Sequence, residues 1–253
     1  MQTPSVLLDI QGLSYAYGKR QAVAGIDLQV HRGECLGLLG PNGAGKTTAI
    51  SCMAGLLANW QGEMSFGGQP FRPADVLLDR ARLGLVPQEL ALYSHLNAEE
   101  NLRYFAELCR VPARERGAAV EKNLELAGLK DRRRDLVKTF SGGMQRRLNL
   151  AAGLVHQPEL VLLDEPTVGV DPQSRHHIFE TLLHLKTQGH SLLYTTHYME
   201  EAMRLCDRIA IMHEGRVIAC GTMAELAAST DEAEGNLENI FLKLTGRKLR
   251  DES

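Results

Sequence analysis

Gly40-Pro-Asn-Gly-Ala-Gly-Lys-Thr47 restricts this chain more than any other stretch, because its Gly, four residues, Gly-Lys-Thr spacing requires strand, loop and helix in that order. Gly40, Gly43 and Gly45 allow backbone conformations closed to residues with a Cβ, so successive amide N–H groups can converge on phosphate oxygens. Lys46 adds a point charge for the β/γ-phosphates, and Thr47 offers a hydroxyl to a magnesium ion. A helix beginning here points its positive dipole end at the anion. The flanks agree: Glu34-Cys-Leu-Gly-Leu-Leu39 is a short apolar run suited to a buried parallel strand, and Thr48 to Ala54 can continue as helix. The chemistry implied is binding of a nucleoside triphosphate.

The 253 residues suffice for one large domain or a core with a subdomain, and a formal net charge of −3 offers nucleic acid no global attraction. No nucleic-acid partner is expected. Cys35, Cys52, Cys109, Cys206 and Cys220 are odd in number, widely separated and without a Cys-x-x-Cys pair. They suggest neither a disulfide framework nor a zinc site, and suit a reducing cytosol. The first ten residues lack the basic opening and long apolar segment of a secretory signal, and no run of about eighteen apolar residues follows. The expectation is a protein inside the cell that meets a membrane only through a partner or a surface.

From residue 6 to 39, and again from 62 to 71, short apolar runs alternate with turn residues such as Tyr17-Gly18-Lys19, predicting a strand-rich opening. From Asn97 to about Ala127 the spacing turns helical, with Leu102, Phe105, Leu108 and Cys109 read as one apolar stripe of a helical insertion. Pro112 is expected to end one helix, and Ala118 to Ala127 to form another before Gly128. Lys130-Asp-Arg-Arg-Arg-Asp135, with flanking aspartates and no interleaved aromatics, reads as a solvated loop. Parallel α/β structure resumes at Leu160-Val-Leu-Leu163 and Ser191-Leu-Leu-Tyr-Thr195. The tail from about Met223 is helix-prone, acidic around Asp231 to Glu238 and basic at Arg247 to Arg250.

Two further stretches carry chemistry. Leu160-Val-Leu-Leu-Asp164-Glu165 is an apolar strand ending in two carboxylates, as where a buried strand delivers acid groups to a nucleotide's metal. Asp164 is placed to orient magnesium, and Glu165 to polarise the water that attacks the γ-phosphate. Thr139-Phe-Ser141-Gly-Gly143-Met-Gln-Arg-Arg-Leu148 puts a serine and two glycines ahead of a helical segment, exposing N–H groups and a hydroxyl to an anion. Taken alone, this second stretch is an ordinary N-cap and turn.

With these motifs in this order, the chain resembles the ATP-binding cassette (ABC) ATPases from Tyr17 to at least Gly221. The resemblance makes Gly40, Pro41, Asn42, Gly43, Ala44, Gly45, Lys46, Thr47 and Thr48 the ATP-binding loop. Tyr17 becomes the adenine-stacking aromatic; Tyr15 competes for that role, and Tyr17 is favoured because Gly18 follows it as in the family. Gln88 of Val86-Pro87-Gln88 would approach magnesium and the attacking water, joining Thr47 and Asp164 around the metal. His197, after Thr195-Thr196, would contact the γ-phosphate, and Asp171 of Gly169-Val-Asp171 would link sites across a dimer interface. The signature Ser141, Gly142, Gly143, Met144 and Gln145 would bind ATP held by the opposing subunit. Phe140 and Met144 depart from the commonest Leu-Ser-Gly-Gly-Gln form. The Phe-Ser-Gly-Gly-Met-Gln-Arg-Arg-Leu variant, and the tail Leu237 to Gly246, resemble a branch containing drug, antibiotic and glycolipid exporters.

The fold implied is α/β: a P-loop NTPase (RecA-like) core with an N-terminal antiparallel β subdomain and an inserted α-helical subdomain. The core would cover 1–88 and 156–222, the helical subdomain about 89–155 and a helical tail about 223–253. The function implied is an ATP-hydrolysing transporter subunit, with ATP and Mg2+ as cofactors, working as a head-to-tail dimer, a homodimer in the simplest case. It would power export of a drug-like, lipid or glycolipid compound through integral membrane permease subunits, from the cytoplasmic face of a bacterial inner membrane. The segment after Gln88, including Tyr93 and Leu96 to Tyr104, would offer a groove to a partner's cytoplasmic helix. The alternative is a soluble ABC-type ATPase acting on ribosomes or DNA, disfavoured by the single cassette and the lack of a coiled-coil insertion or cysteine cluster. A phosphate-loop kinase or small-molecule transferase would leave Ser141 to Gln145 unexplained.

Overall fold

The computed structural model describes residues 5–76, 79, 81–230 and 236–246. Most of the acidic section, 231–235, and the basic finish, 247–250, lie outside the described residues. The chain divides into two compact units, Met1–Arg80 with Gly189–Ser253, and Ala81–Gln188.

The first unit opens with β1 (Val6–Tyr17), β2 (Arg20–His31), β3 (Cys35–Leu39), α1 (Lys46–Met53), β4 (Gln61–Phe66) and β5 (Gln69–Pro70). Strands β2-β1-β4-β5 form an antiparallel sheet, the strand-rich opening anticipated above. In β2 the buried Ile26, Leu28 and Val30 alternate with exposed Asp27 and Gln29, as a sheet covered on one face requires. By contrast β3 is buried throughout, which its uninterrupted Cys-Leu-Gly-Leu-Leu permits. It runs parallel to β8 (Ser191–Thr196) on one side and β9 (Arg208–His213) on the other, and β10 (Arg216–Gly221) closes antiparallel on β9. The unit also carries α6 (Met199–Leu205), α7 (Met223–Ser229) and α8 (Leu237–Thr245). Leu237, Ile240 and Phe241 share one face of α8 and pack with Leu39, Ile209, Ile211 and Leu226, so the tail completes a core around the end of β3.

The second unit carries the parallel pair β6 (Leu83–Val86) and β7 (Leu160–Asp164) and the helices α2 (Ala98–Leu108), α3 (Ala113–Leu126), α4 (Gly142–Leu154) and α5 (Pro172–Thr187). A capping box starts α2, in which Asn97 Oδ1 accepts from the Glu100 amide and the Glu100 carboxylate accepts from the Asn97 amide, both at 2.8 Å. Helices α2, α3 and α4 meet through Leu102, Val120, Leu124 and Leu148.

Three expectations need correction here. Leu108 is 60% exposed and does not belong to the apolar stripe with Leu102. Six residues along a helix rotate a side chain by about 240°, whereas Ala98, Leu102 and Ala106 recur at fours and stay inside. Pro112 does not end α2, which stops at Leu108; it is the N-cap of α3, which starts at Ala113 rather than near Ala118. The charged run is solvated as expected, with Lys130, Asp131, Arg132 and Arg134 exposed, but Lys130–Arg132 form a 3-10 turn instead of irregular loop. Within it Arg133 pairs with Glu99 of α2 at 2.9 Å and Glu121 of α3 at 2.8 Å, and Lys130 pairs with Glu121 at 3.0 Å.

His156, just after α4, links that helix to β6: its Nε2–H donates to the Leu83 carbonyl at 2.9 Å. Its Nδ1 is covered and finds no partner among the described residues. Burial pushes the ring's pKa below the ordinary histidine value, with the Leu83 hydrogen bond opposing. The unfolded chain therefore takes up a proton at a higher pH than the folded one. Stability should decline as pH falls through the ordinary value of about 6.5, until the lowered folded value is reached. Urea midpoints measured from about pH 7 to pH 5 should show this decline, and His156→Gln, which keeps a donor for Leu83, should reduce its slope. An unchanged slope in that variant would remove His156 as the cause.

Candidate functional site

The phosphate loop joins β3 to α1. A Cβ on Gly40 would run into the Met212 carbonyl, and Gly45, at φ 105°, would meet the Ala22 carbonyl. Both positions are closed to any other residue, so the loop's backbone lies bare. Gly45 is the N-cap of α1, which has no side-chain cap and no acidic residue in its first turn. A helix start of this kind presents its leading N–H groups and positive dipole end toward an anion. Lys46 is only 4% exposed, with Nζ donating to the Gly40 carbonyl at 2.8 Å and the Pro41 carbonyl at 3.1 Å. The ammonium is folded over the loop it would serve. Ala44 is buried, Pro41 and Thr48 are half-buried, and Asn42, Gly43 and Thr47 are exposed.

His197 emerges beside this loop because β3 and β8 are parallel neighbours: Leu39 pairs with Thr196, and the Gly40 amide donates to the Thr196 carbonyl at 3.3 Å. The His197 ring is stacked at a tilt on Tyr198, 4.1 Å between centroids. Glu201, 6% exposed, holds this turn from behind, accepting from Tyr194 Oη and Thr196 Oγ1, each at 2.8 Å. Tyr17 stands at the tip of the β1–β2 hairpin, 52% exposed, with Tyr15 edge-on at 5.0 Å and less open. The more accessible face of the pair is that of Tyr17.

In the second unit, parallel β6 and β7 deliver two loops from the same end, since Val86 pairs with Leu163. One carries Pro87 and the exposed Gln88; the other begins with Asp164, 3% exposed, and Glu165, 5% exposed. Glu165 sits at φ 45°, a left-handed conformation that costs a non-glycine residue about 1–2 kcal/mol.

Ser141 is the N-cap of α4, its Oγ accepting from the Met144 amide at 3.3 Å, and both Ser141 and Gly142 are exposed. Gly143 is buried against α5, where a Cβ would collide with Ser174 Oγ and Asp171 Oδ2. Asp171 caps α5, accepting from the Ser174 amide at 2.9 Å; that hydrogen bond and one from the Ser174 side chain hold its carboxyl below the usual range. The fold thus brings the signature and Asp171 together at adjoining helix starts. The last two signature residues turn inward. Met144 packs on the cluster around Leu102, and Gln145 donates its amide to the Val137 and Phe140 carbonyls, each at 3.2 Å.

Among the described residues no three His, Cys, Asp or Glu side chains gather to hold a metal. Such a set is not what Mg2+ needs. It keeps several waters and binds through one or two carboxylates plus substrate phosphates, and the hydroxyl of Thr47, the carboxylate of Asp164 and the amide of Gln88 are oxygen donors of that kind. Sequence reasoning assigns no role to Glu201 or Asn149, and Arg146, although it lies within the Phe140 to Leu148 run, gains its role only from the partners that the fold gives it.

Comparison with known proteins places these features in context. The ABC transporter family profile matches residues 23–168. The linearmycin resistance ATP-binding protein LnrL of Bacillus subtilis (strain 168) is 45% identical over 222 residues, spanning 88% of this chain and 71% of that protein. The Nod factor export ATP-binding protein I of Paraburkholderia xenovorans (strain LB400) is 42% identical over 226 residues, 89% of this chain and 74% of that one. A solved structure described as the ATP binding subunit of an ABC transporter matches with a TM-score of 0.85 at 31% identity, covering 94% of this chain and 99% of that chain.

Proposed function

The chain belongs to the ABC transporter family as an ATP-binding, ATP-hydrolysing subunit, and we propose that it powers export of a drug-like, lipid or glycolipid compound through separate membrane permease subunits. The observation that carries the hydrolytic part is the end of β7, where buried Asp164 precedes a buried Glu165 held in left-handed backbone. The relatives named for linearmycin resistance and Nod factor export support the exporter reading. No helix among the described residues is long and apolar enough to cross a membrane. The working place is the cytoplasmic face of a bacterial inner membrane.

In this reading the loop Gly40 to Thr48 holds the phosphates through backbone N–H groups of its stretch from Asn42 onward and through the Lys46 ammonium, and Tyr17 stacks on the adenine. Thr47, Asp164 and Gln88 hold Mg2+, which when bound neutralises charge on the β/γ-phosphate oxygens. Glu165 takes the proton of the attacking water, while His197 and Gln88 orient the γ-phosphate and that water. Ser141 and Gly143 contact ATP held by a second, identical subunit, and Asp171 relays between the two sites. We assign the core to 1–88 and 156–222, the helical subdomain to about 89–155, and the tail to about 223–253.

The test is to recover the tagged chain from detergent-solubilised native membranes and identify what accompanies it. Integral membrane proteins in fixed ratio, with ATPase activity in the complex, are the expected result. Ribosomes or DNA in their place would overturn the transport reading and favour a soluble ATPase.

A further inference from the structure

Two side chains of the signature helix reach the segment that carries Gln88. Arg146 Nη1 donates to the Gln88 carbonyl at 2.5 Å and the Pro87 carbonyl at 3.4 Å, and its Nη2 reaches the Val168 carbonyl at 3.4 Å. Asn149, three residues on and 2% exposed, grips the same segment from the same face of α4. Its Nδ2 donates to the Pro87 carbonyl at 3.3 Å and its Oδ1 accepts from the Ala91 amide at 3.0 Å. Every one of these partners is main chain, so the two side chains set where the backbone lies and leave the Gln88 side chain, which is exposed, to face outward.

The geometry points to Arg146 and Asn149 as positioning residues that fix Gln88, tying it to the signature helix and, through Val168, to the loop that begins at Glu165. This inference rests on the role proposed for Gln88 and goes beyond it by naming what holds that residue in place. Residues 87–91 belong to no helix or strand and gain no regular ladder of backbone hydrogen bonds. Without the two tethers the segment would sample many positions, and catalytic geometry tolerates displacements of only about 0.5 Å. Arginine suits the task because its planar fork presents donors in several directions at once, whereas a lysine ammonium on a flexible stem does not. Burial draws the Arg146 guanidinium's pKa below its ordinary value, consistent with a group placed for its hydrogen bonds rather than for solvent.

The test is steady-state ATP hydrolysis by the full chain, with kcat and KM measured for Arg146→Gln, Arg146→Lys, Asn149→Leu, Gln88→Ala and the double variant Gln88→Ala/Arg146→Gln. Arg146→Gln and Asn149→Leu should each lower kcat by roughly tenfold, with KM for ATP within about twofold, because misplacement acts on the reacting geometry. Arg146→Lys should fall between Arg146→Gln and the parent. In the Gln88→Ala background Arg146→Gln should cost clearly less than its tenfold in the parent, since the share of its work that aims Gln88 is gone and only its contact with Val168 remains. A parental kcat in Arg146→Lys and Asn149→Leu with native unfolding midpoints would overturn the inference, even if Arg146→Gln folds poorly. So would an undiminished further loss in the Gln88→Ala background. A fully active Gln88→Ala would instead overturn the role given to Gln88, and with it this inference, so the two failures are told apart.

Discussion

Glu165→Gln is expected to leave ATP binding intact while lowering hydrolysis by about 10²- to 10⁴-fold, the usual contribution of a general base. The amide matches the carboxylate in size and can still direct a hydrogen bond to water, so packing around this 5%-exposed position changes little. What it cannot do is accept the water's proton. The left-handed backbone at φ 45° penalises glutamine as it does glutamate, so the substitution should shift the unfolding midpoint only slightly. With ATP bound and not consumed, the closed dimer should accumulate, visible as a larger species in sedimentation when ATP is present and as the smaller one when it is absent. Phosphate release measured beside equilibrium nucleotide binding separates loss of chemistry from loss of affinity. Turnover at the parental rate would remove Glu165 as the base, and loss of ATP binding would show that the residue holds the site together instead.

The legibility of this chain follows the range over which its information acts. Gly40 to Thr47 could be read because strand, loop and helix are contiguous, and the closeness of Gly40 to Met212 and of Gly45 to Ala22 is the price of that loop. Leu160 to Asp164 was legible for a similar reason, a buried parallel strand being apolar end to end. Leu108 misled because an apolar residue near a stripe was counted with it, although the helix had already turned it toward solvent. Pro112 misled because proline both stops one helix and starts another, and only the backbone shows which. The pairing of Arg133 with Glu99 and Glu121 could not be read at all: its partners lie 34 and 12 positions away, on two different helices. The same holds within the candidate site. Gly143 reads in sequence as part of an ordinary N-cap and turn, and only the fold shows that Asp171 and Ser174 leave no room for a Cβ there. Nothing in the order of residues announced the tethers on Gln88 or the buried Glu201 behind His197. Motifs mark the groups placed to touch a ligand; the groups that aim them are ordinary residues chosen by tertiary contact.

Mixing a Lys46→Ala chain with a Ser141→Arg chain should restore ATP hydrolysis that neither shows alone, if the signature acts on the neighbouring subunit's nucleotide. Lys46→Ala removes the ammonium that now lies on the Gly40 and Pro41 carbonyls, leaving the loop without its point charge. Ser141→Arg puts a long cation where an exposed hydroxyl caps α4, blocking the surface offered to a second chain. Losing the cap should also cost about 1 kcal/mol, so each variant's unfolding midpoint must be checked before mixing. In a symmetric dimer each composite site takes its loop from one chain and its signature from the other. A mixed dimer therefore has one site with both defects and one with neither. Random assortment makes about half of the dimers mixed, so about a quarter of the parental sites should return. Recovery near that fraction, scaling with the measured proportion of mixed dimer, is the expected result. If the mixed dimer is demonstrated and its ATP hydrolysis stays at the level of the separate variants, Ser141 acts within its own chain or not at all, and the head-to-tail arrangement falls. The experiment thus distinguishes a site completed within a subunit from one completed between two.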